Sequence, residues 1–541
     1  MQPRNTNHMK KHLLALLLAT GILSACQDSE DPETIIIRTD SQTLSERISL
    51  DGTGVVALID PNAPSGRIME SSSDLPLILI SQVPGPVYDG QTLRATHVDI
   101  EGDYAYVGYN LEGDRYLGAV EIFNISDAYK PVIVSQAIFT DAEVSSLEFA
   151  NGTLYLAMAV DIDGSQEVSS PANLASVSVS GGNFTSGFSF TSIEGFVATD
   201  VTRTQNSTAI TSGNPGILGL ADNAGNITNQ MEMEDLRSVA FGNDRLAVLS
   251  GVNGATILNP SNLSTTATIS LPAATPEAKR TIAINNNRVY IAEGANGAGI
   301  YRLDNGAELA KLPIPINPAD TDPGDVVTNA VSVDNSLLFM ANGAAGVSIS
   351  DVTSTDDIKS YGIIDLDGSS NFVRNEENFV FVATGTGGLQ ILKINEKESD
   401  PTETACASLP AYPGDYWLNI NSNETKAYGG AASIGGVNNN SNFLFCGSLA
   451  ILEQFNLNGN SVTEVYGALA FGRYNGGTTM NVNSTLKLSG SIVIYGDLNL
   501  NSGAKLEFVG TGNSITIYGR VNKNSGVTIT GDYTDTEGKL K

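Results

Sequence analysis

Along residues 98–381 an apolar residue on one strand is followed eight positions later by the centre of a second apolar strand, across a polar turn. The pairs are Val98 with Tyr106, Leu147 with Tyr155, Val201 with Ala209, Val239 with Ala247, Ile282 with Tyr290, Val331 with Phe339 and Val373 with Phe381. The intervening turns, among them EGD at 101–103, ANG at 150–152, GND at 242–244 and NNN at 285–287, are rich in the Gly, Asn and Asp that tight hairpins favour. From Tyr106 to Phe381 is 275 residues in six intervals, about 46 per unit. That is the size of a four-stranded propeller blade.

A small residue opens a third strand in each unit: Gly118, Ala175, Gly216, Gly254, Gly299, Gly346 and Gly388. Fourth strands follow, such as 131–139 and 358–366, but the seventh unit runs out at Ile394 without one. The apolar run PLILISQV at 76–83 precedes the first unit and has no other partner, so it is expected to complete the last blade and close the ring. The pattern predicts an all-β chain whose residues 75–395 form a seven-bladed β-propeller; an open sandwich is the alternative.

The stretch EKESDPTET at 396–404 is charged and apolar-poor and reads as a linker between separately folding parts. From Thr485 onward short alternating strands each end at a glycine, placing Leu486, Leu488, Ile492, Ile494, Leu498, Leu500, Leu506, Phe508, Ile515 and Ile517 on one face. Residues 405–541 are therefore expected to form a small C-terminal β-solenoid, with a β-sandwich as the alternative. Tyr412, Tyr416 and Trp417 are assigned to its core or to a cap on its first rung. Cys406 and Cys446 are a candidate disulfide.

The N-terminus changes the picture from fold to location. Arg4, Lys10 and Lys11 precede the apolar run 13–23, which is too short to span a bilayer and ends in Ser24, Ala25 and Cys26. Residues 1–25 read as a signal peptide, and LSAC at 23–26 resembles the lipobox of bacterial lipoproteins. That resemblance implies acylation of Cys26 and a membrane held through a lipid anchor. Residues 26–74 are expected to be the lipidated N-terminus and an acidic tether. QDSEDPE at 27–33 resembles the tag that sends some lipoproteins to the outer face of the outer membrane, which implies cell-surface exposure.

The strings AVEIFNISDAYKPVIV (119–134) and GVSISDVTSTDDIKSYGI (346–363) resemble LVIVD repeats, a bacterial propeller family. The likeness covers about residues 75–395. It is weaker in units three to five, where the third strand leads into strings such as ILNPSNLS at 257–264. It implies a propeller outside the cytoplasm and implies no reaction.

Charge and chemistry then narrow the function. With 29 basic and 59 acidic residues the net charge is −30, so a phosphate backbone is repelled and nucleic acid is not an expected partner. Of three histidines, His8 and His12 leave with the signal, and His97 alone cannot build a histidine-ligated zinc site. The sequence contains neither G-x-x-x-x-G-K-[ST] nor G-x-S-x-G. The acidic loops offer Asp161 and Asp163, and Asp320, Asp322 and Asp325, as oxygen ligands for calcium, with plain solvated loops as the alternative. Two residues before each inner-strand anchor stand Thr96, Ser145, Thr199, Arg237, Arg280, Asn329 and Asn371. These should ring the channel mouth, where Arg237 and Arg280 would suit an anionic or polyhydroxylated ligand. The expectation is a non-catalytic binding or scaffold module for an extracellular ligand, a polysaccharide or a partner outer-membrane protein. The alternative is a surface glycan-active enzyme using propeller-loop carboxylates.

Overall fold

The computed structural model describes residues 34–49, 54–56, 58–59, 75, 77–394, 406 and 409–540, except 112, 114, 128–129, 164–167, 273–277, 317–320, 367, 377 and 474–475. Cys26 and Asp320 lie outside the described residues, as does the linker 396–404.

Seven antiparallel sheets succeed one another between Arg94 and Ile394 among the described residues. Their inner strands are Arg94–Glu101, Ala142–Ala150, Ala198–Arg203, Leu236–Gly242, Ile282–Asn285, Ala330–Asp334 and Phe372–Glu376. The register is the same in all seven blades. Each apolar anchor faces the residue nine positions on: Val98 pairs with Val107, Leu147 with Leu156, Val201 with Ile210, Val239 with Val248, Ile282 with Ile291, Val331 with Met340 and Val373 with Val382. The eight-residue spacing in the sequence is therefore the diagonal neighbour of a uniform cross-strand pair. Apolar clusters form between successive blades, as with Tyr106, Val144, Leu147 and Leu156 between the first and second.

The small residue opening the third strand has a steric cause. Gly254, Gly346 and Gly388 adopt φ of 75°, 73° and 75°. A Cβ there would lie 2.2, 2.3 and 1.9 Å from the carbonyl oxygens of Ile269, Ile364 and Val83 on the fourth strands.

The ring closes as expected. Strand Leu77–Val83 pairs antiparallel with Leu389–Ile394, Leu389 facing Val83 and Ile394 facing Leu77, and serves as the fourth strand of blade seven. The tether assigned to 26–74 must be corrected for its middle. Ile35–Arg38 adds a fifth strand to blade one, Gly54–Val56 pairs with the closing strand of blade seven, and Leu58–Ile59 adds to blade six. Between them Arg47 forms an ion pair with the buried Glu121 and donates to the Pro84 carbonyl. This segment thus covers outer edges on both sides of the ring seam. Such edges would otherwise present unpaired backbone groups.

Residues 417–535 form a β-solenoid of parallel strands, not a sandwich. The faces expected to be apolar do form its core, with Leu486, Leu488, Ile492, Ile494, Leu498, Leu500, Leu506, Phe508, Ile515 and Ile517 in one cluster. Gly447, Gly467 and Gly490 stack at one corner with φ of 121°, 129° and 91°. A Cβ on each would strike the carbonyl oxygen of the glycine one rung below at 2.1, 2.3 and 2.0 Å. Cys406 and Cys446 are joined, with Cα atoms 5.7 Å apart. Tyr416 and Trp417 are 49 % and 45 % exposed, so they are not core residues; Tyr412 packs against the core edge-on to Tyr428.

The two parts are not separate bodies joined by a leash. Ala468, Val493 and Tyr495 of the solenoid belong to the same apolar cluster as the closing strand of the propeller, with Tyr518 packed against it. Lys130 of blade one pairs with Glu537 at 3.2 Å and sits 4.0 Å above the Tyr518 ring. A protease cutting within 396–404 is expected to leave both pieces eluting together on gel filtration until denaturant is added. Separate elution under native conditions would show that this shared core does not hold them.

Candidate functional site

An inner strand has no neighbour on its channel side, so its backbone groups need partners from elsewhere. The chain supplies them from blade to blade. Asp99 accepts from Phe149 N at 2.8 Å, Glu148 from Arg203 N at 2.9 Å, and Asp200 from Val239 N at 3.0 Å. Ser238 accepts from Ile282 N at 3.2 Å, Thr281 from Val331 N at 3.1 Å, and Ser332 from Asn375 N at 3.1 Å. At the seam Ala95 N reaches the Gly385 carbonyl at 3.1 Å, and Arg374 stands 4.0 Å from Asp99. Much of the polar lining of the channel is therefore committed to holding the ring together.

The same belt borders a channel cavity of about 660 Å³, lined by all seven inner strands and reaching Glu101, Ala150, Phe241, Asp334 and Glu376. Six carboxylates line it: Asp99, Glu101, Glu148, Asp200, Asp334 and Glu376. Burial, with the Asp99 and Asp200 charges adding to it, pushes Glu148 up to about 7. Burial also raises Asp99, against the opposing pull of Arg374. His97 also lines this cavity, its ring 3.9 Å from that of Phe372. Burial and the nearby Lys279 and Arg374 charges hold it well below the ordinary histidine range, and its Nδ1 has no hydrogen-bond partner among the described residues. A neutral imidazole of this kind has no carboxylate bonded to that nitrogen to orient it as a general base.

The expected ring of rim residues is only partly assembled. Thr96, Ser145, Thr199 and Arg237 do meet, around a smaller pocket of about 210 Å³ that also takes in Asn110 and Lys279. Arg280 must be removed from the set: it is 1 % exposed, and its Nε donates to the Ala292 carbonyl at 3.1 Å. Its backbone φ of 56° falls in the left-handed region. Asn329 is also not a free rim group, since its side chain accepts from Lys279 N at 3.1 Å. Asn371 accepts from Ser369 at 3.2 Å.

Lys279 joins this pocket although it lies outside the two-residue spacing that marks the other rim positions. From the loop before blade five its ammonium crosses to blades one and two, donating to the Thr96 carbonyl at 2.9 Å and the Ser145 carbonyl at 2.8 Å. Burial lowers it to about 8. It forms a strut between the wide cavity and the narrow pocket. It stands three residues before the anchor Ile282, so a count of two selects Arg280 instead; the left-handed backbone at Arg280 decides which of the two enters the channel.

The proposed calcium loops have local uses for their carboxylates. Asp161 accepts from Asp163 N at 3.1 Å, and Asp322 caps the short turn Pro323–Asp325 by accepting from Gly324 N at 2.9 Å. No group of three or more His, Cys, Asp or Glu side chains suited to a metal occurs among the described residues.

No family model matches the chain, and a search of curated proteins gives no match. Solved structures align with part of the chain at low identity. A catalytically inactive virginiamycin B lyase from Staphylococcus aureus with quinupristin aligns over 59 % of this chain and 99 % of its own, at 13 % identity and a TM-score of 0.44. The RRP9 WD40 repeats align over 63 % and 99 %, at 10 % identity and a TM-score of 0.43. The computationally designed Ika8 protein aligns over 64 % and 98 %, at 10 % identity and a TM-score of 0.37.

Proposed function

We propose that this chain is a lipid-tethered, non-catalytic binding module of the bacterial cell surface, whose wide channel cavity receives a hydroxyl-rich glycan. The observation that carries the reading is the lining: a cavity of about 660 Å³ walled by carboxylates, serines, threonines and asparagine. Carboxylates accept from sugar hydroxyls, and oriented polar groups in a concave site give such ligands their specificity. The deeper acids Asp99, Glu148 and Asp200 are bonded to backbone N–H groups, which supports a structural rather than a reactive use. The LVIVD-like strings at 119–134 and 346–363 support a propeller working outside the cytoplasm.

Glu148 favours a second reading. A carboxyl raised to about 7 and facing a second acid, Asp99, is what a glycosidase general acid requires. Incubating the soluble chain with a panel of neutral glycans, while monitoring both retention and cleavage products, separates the two. Retention without products, preserved in Glu148→Gln, is expected. Products that disappear in Glu148→Gln would establish the enzyme.

The anchor belongs to the same proposal. From Cys26 to Ile35, where blade one begins to hold the chain, an extended segment reaches at most about 30 Å. A lipid on Cys26 would therefore keep the propeller close to the membrane surface. Cys26→Ser is expected to release the protein from the outer membrane fraction or leave it as precursor. Neutralising Asp28, Glu30 and Asp31 should reduce exposure to added protease while keeping the lipid. Unchanged fractionation of the cysteine variant would remove the anchor from the account.

A further inference from the structure

The two ends of the channel differ in sign. The wide end is lined by six carboxylates against Arg203 and Arg374, with His97 held neutral, whereas the narrow pocket at the strand starts is lined by Thr96, Asn110, Ser145, Thr199, Arg237 and Lys279, with no acid among them. In a chain of net charge −30, a pocket of about 210 Å³ with two cations and no lining carboxylate is a local inversion of the molecular field. We propose that this narrow pocket is a second binding site, specific for the carboxylate of a small acidic sugar.

The donors can be assigned one by one. Lys279 has three N–H bonds and gives two of them to the Thr96 and Ser145 carbonyls, which fixes the ammonium and leaves one donor. Arg237 is held by both oxygens of Asp235, at 2.9 and 3.1 Å, so that carboxylate offsets most of its charge and Arg237 serves the site as an oriented donor. Behind it lies the buried Arg280, whose charge is faced by Glu293 and Asp235 and whose Nη1 has no hydrogen-bond partner among the described residues. Thr96 contributes no donor, because its hydroxyl bonds to the Gly108 and Val144 carbonyls at 3.1 and 3.0 Å. Recognition therefore falls to Lys279 and Arg237 as charged donors, with the Asn110 amide and the Ser145 hydroxyl beside them. A carboxylate suits this set because it accepts through two oxygens and answers the charge of Lys279, whose two bonds go to uncharged carbonyl oxygens. The volume of about 210 Å³ is that of a single sugar ring, and Thr96 and Thr199 add hydroxyl oxygens to the wall.

The pocket lies beyond the Lys279 strut from the wide cavity, so the two proposals stand or fall separately. Isothermal calorimetry with methyl glucuronide and methyl glucoside on the soluble chain tests this one. The glucuronide should bind and the glucoside should not. Arg237→Gln and Lys279→Met should each weaken the glucuronide by about tenfold or more, the loss typical of one charge-assisted hydrogen bond. Lys279→Arg, which keeps the charge, guards against a folding effect, and each variant's melting curve shows whether it is folded. Glu148→Gln, on the far side of the strut, should leave glucuronide binding intact. Equal affinity for both sugars, no binding of either, or glucuronide binding that survives in folded Arg237→Gln and Lys279→Met variants would overturn the proposal. Loss of binding in Glu148→Gln alone would assign the sugar to the wide cavity instead.

Discussion

Deleting Leu77–Val83 is expected to abolish cooperative unfolding of the propeller, while deleting 27–33 should leave the thermal midpoint unchanged. The strand is the fourth member of blade seven and also carries Gly54–Val56 on its other edge. Leu77, Ile78, Leu79, Ile80 and Val83 are all buried in the cluster that spans the ring seam and reaches the solenoid. At about 1.5–3 kcal/mol for each large apolar side chain, their burial contributes on the order of 10 kcal/mol. Typical domain stability is about 5–15 kcal/mol in total, so losing the strand should remove most of it. The deletion also bares the Leu389–Ile394 edge, and aggregation should accompany the loss of structure. Melting curves for the two deletions, followed by circular dichroism and light scattering, make the comparison. Matching midpoints would mean that the ring does not depend on this strand.

That strand was legible in the sequence because three facts converged on it: an apolar run, a last blade one strand short, and no other partner. The strands at 35–38, 54–56 and 58–59 were not, although IIIR at 35–38 is apolar enough. Each has only two to four residues, and its strand state comes from the blade edge it meets rather than from its own pattern. The solenoid was legible through its alternation, yet its outer face was missed. Asn456, Asn481, Asn499 and Asn522 stack rung on rung, joined amide to amide at 3.1, 3.1 and 2.6 Å. An N-x-N string recurs through these rungs, at 456–458, 481–483, 499–501 and 522–524, and could have marked the stacking.

The channel was less legible than the ring for a physical reason. Counting back two residues from each anchor gave one polar residue per blade, and the count treats every blade alike. The blades differ where a loop enters: Lys279 and Arg280 are adjacent, and a left-handed φ at Arg280 sends one across the channel and buries the other. Likewise Asp99, Glu148 and Asp200 are ordinary acids in an acid-rich sequence. Their use as acceptors for the next blade emerges only once seven strands stand side by side.

Asp200→Ala is expected to be the most damaging single change in that belt. Its carboxylate accepts from Ser146 Oγ at 2.5 Å in blade two and from Val239 N at 3.0 Å in blade four, and also from Ser238 Oγ. It therefore bonds to both neighbouring blades. Alanine leaves these buried donors unsatisfied, and removing one partner of a buried charged network costs about 3–5 kcal/mol. Ser238→Ala removes one hydroxyl that donates to Asp200 and accepts from Ile282 N, and should cost roughly 1–3 kcal/mol. Because the two side chains share a bond, the double variant should be less damaged than the sum, a coupling that urea unfolding can resolve. An exposed acid such as Asp304, whose partner Arg302 is also at the surface, serves as the control and should leave the urea midpoint nearly unchanged. If Asp200→Ala unfolds at the same urea concentration as Asp304→Ala, the blade-to-blade bonds are not what holds the inner strands in place.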